Sequence, residues 1–447
     1  MKLLLCAIGS HGDIHPYIAL ARALTSRGHE AILCVNPYYE QLVLEAGVCF
    51  VPLGERVELS QAAQTPGAMS PLLGPIRLIR GLLLPQLEAV TRDFDAIVQR
   101  IKPDACVLHP IALGGPIVCE RHAIPWIGVA LAPVCWWNAN DTMAMGPLDP
   151  QQPSRARVRF ILYVGKLVMQ HVCDGPINKV RASFGLAKGR DHFRTLNRGG
   201  VLNLGFWSPH YRPAIQGDPV TARVVGFPWF DRIGAHESYW NDIETFLANG
   251  NSNSNSNSNF KSIFNYNRPL VFTLGTAAVH VAGAYFKNAA LAAERLGVRA
   301  ILLTGKPDYA PKDLPKSVVA FPYAPFSKIF SRALINIHHC GIGTTAQALR
   351  SGQPMLCCPM AHDQYDNAAR CVRLGVGLSL HHGKATPQAL ARELARIIND
   401  PTYLNAAARI APLIAQDDGA LQAAIAIEEA HARGAFQLGN TLPVLRP

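Results

Sequence analysis

Charge is scarce in this chain: Asp, Glu, Lys and Arg make up only 16% of its 447 residues. Long apolar runs are missing as well, none reaching the roughly 18 residues that would suggest a spanning helix. The apolar start Met1–Ile8 is broken by Gly9-Ser10-His11-Gly12-Asp13 and leads to no small-residue cleavage pattern, so it reads as a buried strand rather than a leader. No pair of the 11 cysteines has C-x-x-C spacing, which removes support for zinc ribbons and thioredoxin chemistry and leaves free thiols in a cytoplasmic protein. No G-x-G-x-x-G follows the first strand, which disfavours a dehydrogenase. The net charge is +11, yet no Lys/Arg block exceeds two residues. Anionic partners are favoured, but a nucleic-acid-binding tail is not.

What is present is a 49% apolar composition in a chain long enough for two to three domains at roughly 150 residues each. Leu3–Ile8 reads as a strand. Pro16 suits a first helical position, with Tyr17, Leu20, Ala21 and Leu24 on one face and Gly28 as the stop. Ala31–Val35 then completes a β-α-β unit, which implies parallel pairing. Ala105–Leu108 and Trp126–Leu131 read as further buried strands. Residues 60–90 and 133–175 are apolar without clean periodicity (Leu82, Leu83, Trp136, Trp137, Met143, Met145). They suit either helices packed on the sheet or an apolar pocket wall, with Trp136 and Trp137 as candidate acceptor-binding residues. Asn251–Asn259 alternates Asn and Ser and reads as a solvated loop. Beyond it strand–helix alternation restarts: Leu270–Leu274, Ala300–Thr304, Val318–Phe321, Leu334–Ile337 and Met355–Cys358 are short apolar runs, and Thr386-Pro387 opens a helix. The expected fold class is α/β, with two facing Rossmann-like, doubly wound domains and a cleft between them. The expected bounds are 1–230, a linker over 231–268, and 269–447, with the last helix returning to the first domain.

Two segments carry the chemistry. In Ile337-His338-His339-Cys340-Gly341-Ile342-Gly343-Thr344-Thr345, a strand ends at two histidines and a glycine-spaced turn opens a helix. Unpaired N–H groups at such a helix start, the dipole, the hydroxyls of Thr344 and Thr345 and the His339 ring suit a diphosphate, and the glycines would let it approach the backbone. An ordinary capped turn fits the same residues. A metal at His338, His339 and Cys340 is disfavoured, because adjacent strand residues point to opposite faces. Twenty residues on, Pro359-Met360-Ala361-His362-Asp363-Gln364 closes the next strand and opens another helix, where Asp363 and Gln364 offer acceptors and donors to sugar hydroxyls. Asp93-Phe94-Asp95 looks like a metal-binding D-x-D, but it lies within an apparent helix where positions i and i+2 diverge by about 200°.

Together these segments resemble the nucleotide-sugar signature of the family-one GT-B glycosyltransferases, the UDP-glycosyltransferase-like group. The resemblance implies that His339, Gly341, Gly343, Thr344 and Thr345 hold the donor pyrophosphate, and that Asp363-Gln364 holds the donor sugar. Tyr323-Ala324-Pro325 matches the site where the base stacks, and Leu274-Gly275-Thr276 matches the phosphate-side strand end. Gly12-Asp13-Ile14-His15-Pro16 and Arg27-Gly28-His29 match the N-terminal motifs. The segments Gly226–Asp231 and Ala361–Ala368 are similar to the rhamnosyltransferases of bacterial rhamnolipid synthesis, and to sterol and macrolide-type glycosyltransferases. One departure is Gln347, where many members carry a ribose-binding Glu. It leaves uridine and deoxythymidine donors both open and leans towards the latter.

The resemblance implies an inverting, metal-independent transfer of a hexose, rhamnose or glucose, from a dTDP- or UDP-sugar to a hydroxyl of a hydroxy-acyl lipid, sterol or polyketide. The donor is a co-substrate, and no cofactor is expected. Such a transfer needs a general base facing the leaving diphosphate. Asp13 is the first candidate, with its acidity weakened by burial, and His11 and His15 are rivals. A nucleotide-sugar epimerase of the same fold and a non-catalytic nucleotide-sugar-binding subunit are the alternatives. Arg155, Arg157 and Arg159 precede the apolar Phe160–Val164, an edge that suits either peripheral contact with an anionic membrane or plain solvation.

Overall fold

The computed structural model describes all residues except 59–65, 72, 147–153, 232–236, 250–266 and 438–447, so the Asn/Ser run and most of the expected linker lie outside the described residues. Two wholly parallel sheets organise the rest. The first comprises β1 (Lys2–Cys6), β2 (Glu30–Val35), β3 (Cys49–Pro52), β4 (Ala105–Leu108), β5 (Trp126–Ala130), β6 (Leu202–Gly205) and β7 (Ala222–Val224), in the order β3-β2-β1-β4-β5-β6-β7. The second comprises β8 (Leu270–Thr273), β9 (Ala300–Leu303), β10 (Val318–Phe321), β11 (Ile335–His338), β12 (Met355–Cys357) and β13 (Gly377–Ser379), in the order β10-β9-β8-β11-β12-β13. Leu3 pairs with Ala31 on one side and Ala105 on the other, while Ile337 pairs with Phe272 and Leu356. The central strands are buried on both faces, which explains their unbroken apolar runs.

In each sheet the strand order reverses once, between β1 and β4 and between β8 and β11. Ligands of such sheets bind beyond the carboxyl ends at this switch point. That rule selects the turns after β1 and β4 in one half and after β8 and β11 in the other.

Among the helices, α1 (His11–Ser26), α2 (Leu84–Ile101), α3 (Arg155–Ser183), α4 (Ile342–Arg350), α5 (Gln364–Arg373), α6 (Pro387–Asn399) and α7 (Gly419–Ala432) bear on function. The start of α1 corrects the sequence reading. It begins at His11, with Pro16 inside it. The N–H and hydroxyl of Ser10 donate to Asp13 Oδ2 at 2.7 and 3.1 Å, so local capping sets the boundary and Pro16 does not. Helix α6 opens as expected, with Thr386 accepting from the Ala389 N–H and Pro387 first in the helix. The chain end crosses back: Ala423, Ala424 and Ile427 of α7 share a core with Leu3, Tyr17 and Leu20. The Arg27 guanidinium donates twice to Glu428, at 2.8 and 2.7 Å.

A buried polar chain also joins the halves. Arg212 bridges Asp141 and Asp218, and Arg370 of α5 reaches Asp141 at 3.0 Å and Asp366 at 2.8 Å. The Ala144 N–H donates to Asp366 at 3.1 Å. Buried charges persist when each is paired and hydrogen-bonded, and here each one is. No described helix is long and apolar enough to cross a membrane.

Candidate active site

The rear half builds an anion cradle at its switch point. Cys340 adopts a left-handed backbone (φ 66°), which turns the chain sharply after β11 and lets Gly341 cap α4. The first N–H groups of α4 therefore face the cleft end of the sheet without helical partners. Beneath them lie two buried polar atoms with no protein partner, His339 Nδ1 and Thr345 Oγ1. Burial pushes the His339 imidazole down to about 4, with the neighbouring His382 adding to the effect, so the ring is neutral near pH 7 and carries one N–H to donate.

The glycines have two distinct jobs here. A Cβ on Gly343 would meet nothing within 4 Å, so the backbone there is open to a ligand. A Cβ on Gly275 or Gly341 would stand 2.4 Å from Cε1 or 2.6 Å from Nε2 of His339. These two make room for the imidazole rather than for a phosphate. The side chain of Thr276 lies outside the described residues.

Asp363 stands at the start of α5. Its carboxyl is pushed up to about 7 in all, chiefly by burial. Donation from Asn367 pulls it down, and the charges of Asp13 and Asp366 push it further up. The side chain of Asn367 is fully used: its amide donates to Asp363 Oδ2 at 2.7 Å and to the Cys340 carbonyl at 2.9 Å, while its oxygen accepts from the Tyr211 hydroxyl at 3.0 Å. Gln364 is buried, and its Oε1 accepts the Met360 and Ala361 N–H groups at 2.9 and 3.2 Å. That end of Gln364 braces the turn and is not available to a sugar. Gln347 is tied between Asp231 Oδ1 (3.4 Å) and Arg350 (2.7 Å). Tyr323 is half-buried with its ring 6.3 Å from Phe326, whereas the Ala324 side chain points into the core.

The front half contributes Asp13, whose side chain is 33% exposed and whose Oδ1 lies 3.5 Å from Nε2 of the buried His109. The Ile111 N–H donates to His109 Nδ1 at 3.4 Å, which leaves Nε2 to carry the proton of the neutral ring, on the side nearer the carboxylate. Burial pushes the Asp13 carboxyl up, but His109 and the two Ser10 donors outweigh it and hold the group below its usual range. The expectation that burial would make Asp13 less acidic is thereby corrected. His109 was missed from sequence. Its signal was its place just beyond β4, which the topology sets beside β1. His11 packs edge-on to Tyr39, and His15 sits 5.1 Å from Phe230.

A small, largely apolar cavity of about 70 Å³ opens in the front half. Its lining includes Ile8, Leu53, Leu83, Leu87, Val90 and Ile111. Ile8 adjoins Gly9, which packs on the Asp13 carboxylate, and Ile111 holds His109. Leu82 and Leu83 belong to a π-helical turn, Ile79–Leu83, that precedes α2. Trp136 is a correction: it is wholly buried, edge-on to Trp207 at 4.6 Å with Arg212 over its ring, and is core rather than pocket wall. Trp137 is half-buried under α3, against Gly165 and Phe193. Asp95 of the D-x-D pattern is held by His122 at 2.7 Å and Gln99 at 2.7 Å within α2, as a structural group.

Comparison with known proteins matches this geometry. Residues 3–134 match the glycosyltransferase family 28 N-terminal domain, and residues 276–420 match the erythromycin biosynthesis protein CIII-like C-terminal domain. The O-mycaminosyltylonolide 6-deoxyallosyltransferase of Streptomyces fradiae is 27% identical over 96% of this chain and 97% of its own. The sterol 3-beta-glucosyltransferase of Saccharomyces cerevisiae is 26% identical over 95% of this chain, which spans only 35% of that protein. The solved glycosyltransferase VinC, in complex with dTDP, superposes with a TM-score of 0.64 at 19% identity, over 97% of this chain and 100% of its own. With a glycosyltransferase domain matched in each half and two facing Rossmann-like sheets, the chain belongs to the family-one GT-B glycosyltransferases.

Proposed function

We propose that the protein moves a hexose, rhamnose or glucose, from a dTDP- or UDP-sugar to a hydroxyl of a lipophilic acceptor (a hydroxy-acyl lipid, sterol or polyketide), with inversion and without a metal. The observation that carries the reading is the meeting of unlike carboxylates across the cleft. Asp13 of the front half lies close enough that its charge helps push the Asp363 carboxyl of the rear half up, making it less acidic. The small, largely apolar cavity near Asp13 marks the side from which a lipophilic alcohol would reach that carboxylate. The relatives that match along this chain are named as transferases, which favours transfer over epimerisation. The dTDP bound to VinC and the sterol and macrolide substrates of the relatives support the two substrate classes.

In the proposed reaction the α4 N–H groups and the neutral His339 ring stabilise the departing diphosphate. Asp363 accepts hydroxyls of the sugar. The acceptor hydroxyl attacks the anomeric carbon from the side opposite the diphosphate. Asp13 is a weak base in the resting enzyme. That suffices, because the hydroxyl becomes strongly acidic as its oxygen bonds to carbon, and its proton passes to the carboxylate late. His109 holds that carboxylate in place from behind. The test is product mass spectrometry with dTDP- and UDP-hexoses against a panel of 3-hydroxy fatty acids, sterols and macrolactones. Donor turnover with no acceptor present, or binding with no glycoside formed from any alcohol, would overturn the proposal.

A further inference from the structure

Helix α3 is amphipathic on two opposite faces. Its inner face buries Val158, Leu162, Met169, Val172 and Val180. Its outer face leaves Phe160 68%, Tyr163 63%, Val164 41% and Leu167 47% exposed, which is four of the ten large apolar side chains exposed among the described residues. At about 100° per residue these four fall within an arc of roughly 100° opposite the buried stripe. Cations border the arc: Arg157 lies about 20° beyond one edge, and Arg159 and Lys166 about 40–60° beyond the other. From Arg155 to Cys173 the helix contains no acidic residue. Lys166 reaches the nearest carboxylate, Asp191, at 4.0 Å.

An apolar stripe with basic margins and no acid suits a partner that is apolar inside, anionic at its surface and flat on the scale of a helix. We propose that this face of α3 docks the enzyme on an anionic lipid bilayer, with Phe160, Tyr163, Val164 and Leu167 entering the headgroup boundary and the cations meeting lipid phosphates. A second copy of the same face is a poorer fit, because it would set arginine against arginine. Beneath the stripe the same helix covers Trp137 and Met143.

The test is co-sedimentation of the full chain with phosphatidylcholine vesicles, with and without phosphatidylglycerol. Binding is expected only to the anionic vesicles. It should be lost when salt shortens the screening length from about 10 to about 3 Å. The pair Phe160→Ser and Leu167→Ser should weaken it about tenfold or more. The triple change Arg155→Gln, Arg157→Gln and Arg159→Gln should weaken it about a hundredfold. Both variants should keep wild-type turnover of a soluble acceptor, which separates docking from folding. Absent binding by the wild type, or equal binding by the variants, overturns the proposal. So does a wild-type dimer that ignores vesicles and dissociates in the Phe160/Leu167 variant.

Discussion

Replacing Gly341 by Ala tests whether His339 is held for the leaving group. Gly341 has φ −57°, so alanine brings no left-handed strain. The new methyl would stand 2.6 Å from Nε2 of His339, closer than carbon and nitrogen can lie, and the ring must swing away. Two consequences can be separated. Loss of glycine at a helix N-cap should lower stability by about 1 kcal/mol or less. Loss of one preorganised donor to a developing anion should lower kcat about 10²–10³-fold, or about 2.7–4 kcal/mol. The second effect should dominate and should be reproduced by His339→Ala.

A double-mutant cycle makes the reasoning refutable. If the methyl acts by displacing the ring, adding Gly341→Ala to His339→Ala should change kcat by no more than about twofold, because the ring is already gone. The assay is single-turnover product formation with saturating donor, with urea midpoints to follow stability. Full additivity of the two losses would show that Gly341 matters for something other than His339. A Gly341→Ala enzyme with wild-type turnover would remove His339 from the leaving-group site altogether.

Donor affinity should fall as pH drops through about 7, because Asp363 gains a proton there and becomes a weaker, uncharged acceptor for sugar hydroxyls; titration calorimetry across pH checks this, and Asp13→Asn should move the fall to lower pH by removing a like charge. Asp13→Asn should also abolish turnover while donor binding near pH 8 stays within a fewfold of wild type, read by product mass and calorimetry. Arg370→Met should lower stability by about 3–5 kcal/mol in urea unfolding, since it strips a cation from the buried Asp141 and Asp366. Leu83→Trp should raise KM for bulky acceptors and spare small alcohols if the cavity beneath the π-turn receives the acceptor, as steady-state kinetics on a graded acceptor series would show.

Sequence revealed most where neighbours in the chain are also neighbours in space. The His339–Thr345 turn, the Thr386-Pro387 helix start and the central strands depend on contacts a few residues apart, and each was legible. Three of the four edge strands were not: β3, β7 and β13 have only one buried residue among them, Gly377, whereas the edge strand β10 was read from Val318–Phe321; the inner strand β6 was also missed. The start of α1 was misplaced because Pro16 was weighed as a first helical residue. Ser10 and Asp13 already carried a capping signal three residues apart. Trp136 was read as pocket wall because its partners Trp207 and Arg212 lie far along the chain. The Asp141–Arg370 bridge spans 229 positions, and nothing local announces it.

That distant bridge matters to the chemistry. In the proposed reaction both carboxylates act ionised, but they are held in that state by different surroundings. Asp13 is supported from its own half: Ser10 donates to it within the same turn, and His109 at the next strand end lies 3.5 Å away. Asp363 is desolvated, and it leans on Asn367, whose other partners are the Cys340 carbonyl of the diphosphate turn and Tyr211 of the front half. Carboxylates pushed apart in this way are the mark of divided roles in a site. Only one of the two, however, is set by residues that stay with it in any arrangement of the halves. The protonation of Asp363 depends on how the front half sits, through Tyr211 and through the charge of Asp13. The buried chain Asp218–Arg212–Asp141–Arg370–Asp366 fixes that seating. In the proposed reaction this polar interface is the physical means by which Asp363 senses that the half bearing Asp13 is in place.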